Sequence, residues 1–432
     1  MQHYQARINK AYHIFMMLIS PLFAGYLIFK MKNKSYIIFL GTVFFGLLGS
    51  LFIYNTEGDG LTHLLDVKRF YLDMPFFEFT EGVFKLLTFQ PIEGSQDLYK
   101  HIISYLAGAV FQIPELIHVF GGLLLGYFFT KSVLLVFEDK SKQKMGVFLL
   151  SFAVLFLIVR SVSALNSLRM WTGMWVFFYG SYSYIKNKEV KFLWYVGLAI
   201  FVHFSYLLFS IPLIAAILLR NRKKLVVGIF IASFFINTGF EQVFNIVEST
   251  GLYQDKMKGN IINEQEIDRR AAQYEDKSVN SNFYNEFGPL IYNTFSIPLL
   301  SFILIIVYLR KSKIEYLNFL IAGGLLLVSL SNLAGGISPS IYGRGLTIAG
   351  TFLTAAAIQV LILNKSEMSS RLKNKLIKFS FSVFLLSAVL HALFQLSYAF
   401  NTISGFVIAL PIASWYLGND DSSIRDFIGI FF

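Results

Sequence analysis

The chain has 432 residues, 55% of them hydrophobic and 15% charged, with 47 Phe, 23 Tyr and no Cys. Soluble domains carry about 25% charged residues, and apolar runs long enough to cross a bilayer core of about 30 Å recur throughout, so a water-soluble enzyme and a single-span receptor are both excluded. The net charge of +11 does not make a nucleic-acid binder of a chain with so little surface outside a membrane, and the missing Cys removes disulfides and thiolate metal sites.

In chain order the hydrophobic runs are Ala11–Phe29, Tyr36–Tyr54, Ile113–Phe137, Met145–Val159, Met170–Ile185, Phe192–Leu219, Leu225–Val247, Pro289–Leu309, Ile314–Ala334, Gly345–Leu363, Phe379–Phe400 and Phe406–Leu417. The first is too long for the apolar part of a cleavable signal and reads as a span. The pattern predicts an all-α polytopic membrane protein with about 11–13 transmembrane or re-entrant helices. It forms one integral domain over residues 1–432, with long outer loops at about 55–101 and 248–288. Short basic loops alternate with these longer mixed ones. The basic set, with Lys131 at a span end, holds 22 cations against the acids Glu138, Asp139, Glu189, Glu315 and Glu367. The remaining 15 cations face 21 acids. The positive-inside rule therefore puts the basic loops in the cytoplasm, at +17 against −6 outside.

Phe192–Leu219 breaks the alternation, because a basic loop flanks each end. Its 28 residues reach about 42 Å as a helix, enough for one crossing and not two. The expectation is a re-entrant hairpin bent near His203–Ser205. Irregular backbone at membrane depth is tolerated only beside protein or a water-filled cavity, which makes the bend a candidate site. In the second long loop, Asn263-Glu264-Gln265-Glu266 is a capping-box pattern that starts a surface helix to about Lys277. With Tyr253 and Tyr274 nearby, that helix reads as a lid or sugar-contacting surface.

Arginine is unevenly placed. Arg7, Arg69, Arg160, Arg169, Arg269, Arg270, Arg344 and Arg425 lie on the outer side, whereas the inner loops rely on Lys. Topology needs only charge; Arg adds a planar fork that grips phosphate or carboxylate with two parallel bonds. That distribution points to an outer anion site. Asn166, Arg169, Gly173 and Gly180 fall at helical spacing on one face. Arg160 ends the preceding run, where a snorkelling cation is the plain alternative. His203 stands among apolar residues at the inferred bend. Ser338-Pro-Ser-Ile-Tyr342-Gly-Arg344 is an outer turn whose cation opens a helix, a position the macrodipole disfavours unless an anion is near. Asp59, His63 and Asp66 would share one face of a helix over Gly58–Phe70. They could bind a divalent metal, but a solvated polar face is the preferred reading and no metal site is assigned. No P-loop, GxGxxG or HExxH pattern occurs.

Asn166-Ser-Leu-Arg169, the following span, the Lys-rich break at Lys186–Lys191 and then Ala199-Ile-Phe-Val-His203-Phe-Ser205 resemble, in that order, the EpsG/Wzy group of polysaccharide polymerases. Asp59 and Arg344 also sit where similar proteins place an acid and an arginine. Met170 follows the Arg where many relatives carry Gln. The specific match covers about a tenth of the chain, Asn166–Pro212. The resemblance implies a GT-C-like membrane glycosyltransferase joining undecaprenyl-diphosphate-linked repeat units at the outer face of a bacterial inner membrane. Arg169 and Arg344, with Arg160, would stabilise the lipid-diphosphate leaving group. His203 and Asp59, with Glu286 behind them, are the candidate bases, and Asn166, Tyr342 and Arg270 would contact substrate. No cofactor is implied. Expected partners are the lipid-linked glycans, membrane lipids, a chain-length regulator and a flippase, with no nucleic acid. An O-antigen ligase and a flippase of the same lipid-linked substrate are the rival readings.

Overall fold

The computed structural model describes residues 2–28, 31–54, 59–139, 146–160, 162–236, 283–309, 314–335, 338–363, 375–417 and 422–429. The capping-box segment, Arg270, Tyr253 and Tyr274 lie outside them. Among the described residues the regular structure is helical throughout. The helices are α1 Gln2–Ile19, α2 Pro21–Ile28, α3 Lys34–Ser50, α4 Asp59–Phe70, α5 Phe76–Leu87, α6 Leu98–Tyr105, α7 Leu116–Val136, α8 Val147–Ile158, α9 Leu168–Asn187 and α10 Leu193–Val202. There follow α11 Tyr206–Leu219, α12 Lys223–Ala232, α13 Phe283–Ile291, α14 Ile297–Leu309, α15 Glu315–Ala334, α16 Pro339–Leu363, α17 Lys375–Thr402, α18 Ile412–Leu417 and α19 Ile424–Gly429. Among the described residues six stretches are long and apolar enough to cross a membrane: Leu116–Val136, Val147–Leu165, Glu286–Leu309, Glu315–Ala334, Pro339–Leu363 and Lys378–Thr402. Three shorter apolar helices accompany them at Lys34–Ser50, Val190–Val202 and Tyr206–Leu219. The chain is a multi-pass membrane protein.

Two apolar runs do not form the single helices their composition suggests. The first is split at Ser20, and α2 opens on Pro21, whose missing N–H is harmless at a helix start. Phe406–Leu417 breaks at Leu410, which takes a left-handed φ of 55° ahead of Pro411. It leaves only a short turn and α18.

Centrality follows from burial. The apolar windows of α15 and α16 are each 83% buried within the protein, against 28% for the window in α17. The first two thus form the middle of the bundle, and α17 runs along its edge. Around α9 the packing is aromatic: Trp175 is fully buried, ringed by Phe129, Phe156 and Phe178 at 4.9–6.2 Å. Helices α3 and α7 approach backbone to backbone. A Cβ at Gly122 would stand 2.2 Å from the Phe45 carbonyl oxygen, the close contact that small residues four apart permit inside a membrane.

The two halves of Phe192–Leu219 are α10 and α11, and the chain turns between them at His203–Ser205. At about 15 and 21 Å, neither helix spans a 30 Å core. Both outer ends of the hairpin meet one carboxylate: Lys188 Nζ lies 2.5 Å from Glu315 Oε2, and the Arg220 guanidinium pairs with Glu315 Oε1. The segment therefore enters and leaves at the same end of the bundle. At that end Lys34 and Lys186 also pair with Glu138, at 2.7 and 3.2 Å, and Lys186 with Asp139 at 2.8 Å. The acids of the basic loops are thus tied to cations of the same loops. Asp59, Asn166, Arg169 and the His203 turn lie at the other end of α9.

Candidate functional site

Three segments meet there: the α8–α9 connection, the His203 turn, and the α4–α6 region that precedes α7. Helix α9 starts at Leu168, so Arg169 stands in its first turn and Asn166 in the approach to it. Asn166 Oδ1 accepts the Gly60 N–H at 2.9 Å, capping α4 from outside that helix. The approach is close enough that a Cβ on Gly60 would sit 2.7 Å from the Phe52 ring. Ser167 Oγ donates to Asp59 Oδ2 at 2.7 Å, and Asp59 is otherwise exposed.

Asp97 joins the other two segments. Its residue is 3% exposed, and one carboxylate oxygen accepts Arg169 Nη1 at 2.7 Å while the other accepts the Phe204 N–H at 3.0 Å. It occupies the position before α6 that normally caps a helix, yet its side chain makes no cap bond there. The carboxylate reaches across the bundle instead, and holds the Asn-x-x-Arg element against the His203 turn. Within that turn, Ser205 N–H donates to His203 Nδ1 at 3.2 Å, and the His203 ring stacks on Phe204. With Nδ1 accepting, Nε2 is the ring nitrogen left to donate. Below it, the Tyr206 hydroxyl donates to the Met170 carbonyl at 2.7 Å, and its ring fills the space that Gly173 leaves open. The glycines on the Arg169 face thus admit the neighbouring hairpin: a Cβ at Gly180 would meet Tyr195 and the Phe192 carbonyl.

Asp59, His63 and Asp66 do share a face of α4, which is exposed at Asp59, buried at His63 and partly buried at Asp66. Asp66 forms an ion pair with the buried Lys100 of α6. Burial, and next the charge of Arg169, push the Lys100 ammonium below its usual range, while Asp66 and Asp97 work the other way. His63 is 3% exposed, and neither ring nitrogen has a hydrogen-bond partner. Burial first, then Lys100 and Arg169, hold it well below the ordinary imidazole value. Among the described residues no three of His, Asp and Glu converge to hold a metal ion. A group whose folded pKa is depressed contributes stability above its unfolded value and loses it as the pH falls below about 6.5. The thermal midpoint of the wild type should therefore drop between pH 7.5 and 5.5 by more than that of His63→Leu. Parallel curves would remove His63 as a cause.

Arg344 lies in the first turns of α16 and makes no hydrogen bond or ion pair with the described residues. Asp59, Arg169, Asp97 and Tyr206 are within its electrostatic reach. Arg169 is thus committed to a carboxylate, whereas Arg344 is not. Arg160 has different neighbours. Its backbone takes a left-handed φ of 55°, its guanidinium lies 4.1 Å above the Trp171 ring, and its carbonyl accepts the Trp175 indole N–H at 3.0 Å. Its Nε is buried without a hydrogen-bond partner among the described residues, and Tyr398, Tyr292 and Arg344 are within its electrostatic reach.

The remaining sequence candidates fall outside this group. Because α16 begins at Pro339, Tyr342 and Arg344 are two residues apart on one helix, about 200° around its axis, and do not share a face. Tyr342 packs against the core. Glu286 is exposed on α13, and among the described residues no hydrogen bond or ion pair links it to the cluster. Asp97 and Lys100 were missed by the sequence reading. Their only signal was position in a long loop, with no recognisable spacing to Arg169.

A model of the EpsG family matches residues 118–404, which include Arg160, Asn166, Arg169, His203 and Arg344, while Asp59, Asp66, Asp97 and Lys100 precede the matched part. No curated protein and no solved structure matches the chain. Matching about two thirds of its length, the chain belongs to the EpsG family of membrane proteins, which is linked to exopolysaccharide biosynthesis.

Proposed function

We propose that the protein is a metal-independent membrane glycosyltransferase that joins undecaprenyl-diphosphate-linked oligosaccharide repeat units at the outer face of a bacterial cytoplasmic membrane. The observation that carries this reading is Arg344, which makes no hydrogen bond or ion pair with the described residues, near the Asp97-bound Arg169 at the end of the bundle opposite the basic belt. A cation left without a counter-ion at membrane depth is costly unless a ligand brings one. A lipid diphosphate supplies that charge and increases it as the glycosidic bond breaks, so fixed guanidinium groups bind the leaving group more strongly in the transition state than before it.

The chemistry then divides among few groups. The acceptor sugar hydroxyl attacks the anomeric carbon of the donor. The bond from that carbon to the phosphate oxygen breaks, and its electron pair leaves with the diphosphate toward Arg344 and Arg169. The hydroxyl proton passes to a base. Asp59 suits this role because it is exposed, oriented by Ser167, and without a second hydrogen bond among the described residues. His203, closed in by its turn, orients the segment that Asp97 grips. A diphosphate needs little protonation to leave, so no strong general acid is required.

Purified protein in proteoliposomes, given undecaprenyl-diphosphate repeat units, should produce a ladder of polymer on a gel. Movement of labelled substrate across the bilayer without any ladder would replace this reading with a flippase. The orientation has its own test in a chain without native Cys. Asp73→Cys should react with a membrane-impermeant maleimide on intact cells, and Lys188→Cys only after the membrane is opened. The reverse pattern would invert the topology and move the site to the cytoplasm.

A further inference from the structure

Helix α5 carries three distinct faces in twelve residues. At 100° per residue, Phe76, Phe77, Phe84 and Leu87 fill one arc of about 100°. All four are exposed, Phe77 at 78% and Phe84 at 69%. Thr80, the one polar residue in that arc, donates its hydroxyl back to the Phe77 carbonyl at 2.8 Å and so presents no loose donor. Glu78, Glu81 and Lys85, all exposed, fill the next arc, with Lys85 paired to Glu81. Phe79, Gly82, Val83 and Leu86 fill the third. This third face holds the helix to α6: Phe79 stacks on His101 and Tyr105 with centroids 4.9 and 4.1 Å apart, and Gly82 leaves room for the His101 ring.

The height of α5 follows from its neighbours. Helix α7 is 21 residues long, about 31 Å, which matches the hydrocarbon core. The chain just past its far end reaches the basic belt through Glu138 and Asp139, so Leu116 marks the level where α7 leaves the apolar layer at the site end. Tyr105 leads through Leu106–Val110 to exposed Phe111 and Ile113, immediately before that level. Helix α5 packs on Tyr105, and so lies at the same boundary.

We propose that α5 is an in-plane membrane helix. Its Phe76/Phe77/Phe84/Leu87 face is embedded among acyl chains just below the headgroups, its Glu78/Glu81/Lys85 face is in water, and its third face grips α6. An exposed apolar arc bordered by a charged arc is what the bilayer interface selects. The charged arc carries net −1, so apolar burial supplies the attachment and anionic lipid is not needed. Through Phe79 and His101, the bilayer sets the height of α6 one turn beyond Asp97. This inference stands independently of the reaction proposed above.

The test uses the full chain in vesicles of phosphatidylcholine, with single nitroxide-labelled cysteines at Phe77→Cys, Phe84→Cys, Glu81→Cys and Lys85→Cys. Labels at 77 and 84 should collide freely with oxygen and be shielded from a water-soluble nickel chelate, and labels at 81 and 85 should show the opposite. All four side chains are exposed, so the substitutions leave the packing intact; Phe76→Cys and Leu87→Cys provide a second pair on the apolar arc. Equal nickel access at all four positions would overturn the proposal by showing the helix clear of the bilayer. Shielding of 77 and 84 from both reagents, relieved when the protein is diluted in lipid, would overturn it in favour of a second copy of the chain.

Discussion

Replacing Arg344 by alanine is expected to cut the rate of polymer formation about 10²–10³-fold, the usual cost of removing one preorganised group from a developing negative charge. The same substitution should not lower the thermal midpoint. Arg344 makes no hydrogen bond or ion pair with the described residues that would hold α16 in place, and deleting a partly buried cation removes a desolvation cost and not a support. Arg344→Lys should recover only part of the rate, because an ammonium supplies charge without the two-pronged geometry of a guanidinium. The measurement is the initial rate of ladder growth in proteoliposomes, beside the thermal midpoint of each variant. Wild-type rates in Arg344→Ala would detach Arg344 from the diphosphate. A collapsed midpoint would assign it to the fold.

What the sequence made visible follows from which interactions are local. Span lengths, the basic belt and the break at His203–Ser205 depend on hydropathy and on charges near span ends, both written along a continuous stretch of chain. The hairpin follows from charge alternation and the length of the run, and the shared pairing of Lys188 and Arg220 with Glu315 closes it geometrically. The arginine bias also singles out Arg169 and Arg344, which the fold places within electrostatic reach of each other. Partnership was not legible. Asp97 occupies an ordinary cap position, and its two partners lie 72 and 107 residues away. Nothing in their spacing reports a contact that only the packing of α6 against the hairpin creates. The polar period of the α4 face reads as solvated, whereas the burial of His63 comes from the rest of the fold and not from α4 itself. Tyr342 was grouped with Arg344 because the helix was expected to begin at Gly345. Its actual start at Pro339 turns the two to different sides.

Asp97 supplies the second large effect, and two variants divide its two roles. Asp97→Ala removes both acceptors at once, taking the carboxylate from Arg169 and that acceptor from the Phe204 N–H. Hydrogen bonds involving a charged group are worth about 1.5–3 kcal/mol each, so a loss of about 3 kcal/mol in stability is expected together with loss of polymer. Asp97→Asn keeps one carbonyl oxygen and the same shape. It can still accept the Phe204 N–H and hold the turn, but it no longer neutralises Arg169. Stability should fall by less than in the alanine variant, while polymerisation still drops at least tenfold because Arg169 is no longer held in one place. A double-mutant cycle with Arg169→Gln separates this from general damage. Neutralising both members leaves no unpaired charge, so the double variant should be more stable than the sum of the single losses by about 1 kcal/mol or more. It should remain inactive, since the guanidinium itself is gone. Additive stabilities would mean that Asp97 and Arg169 do not act as a pair. Recovered polymer in the double variant would mean that Arg169 serves only to hold the turn, leaving the anion to Arg344.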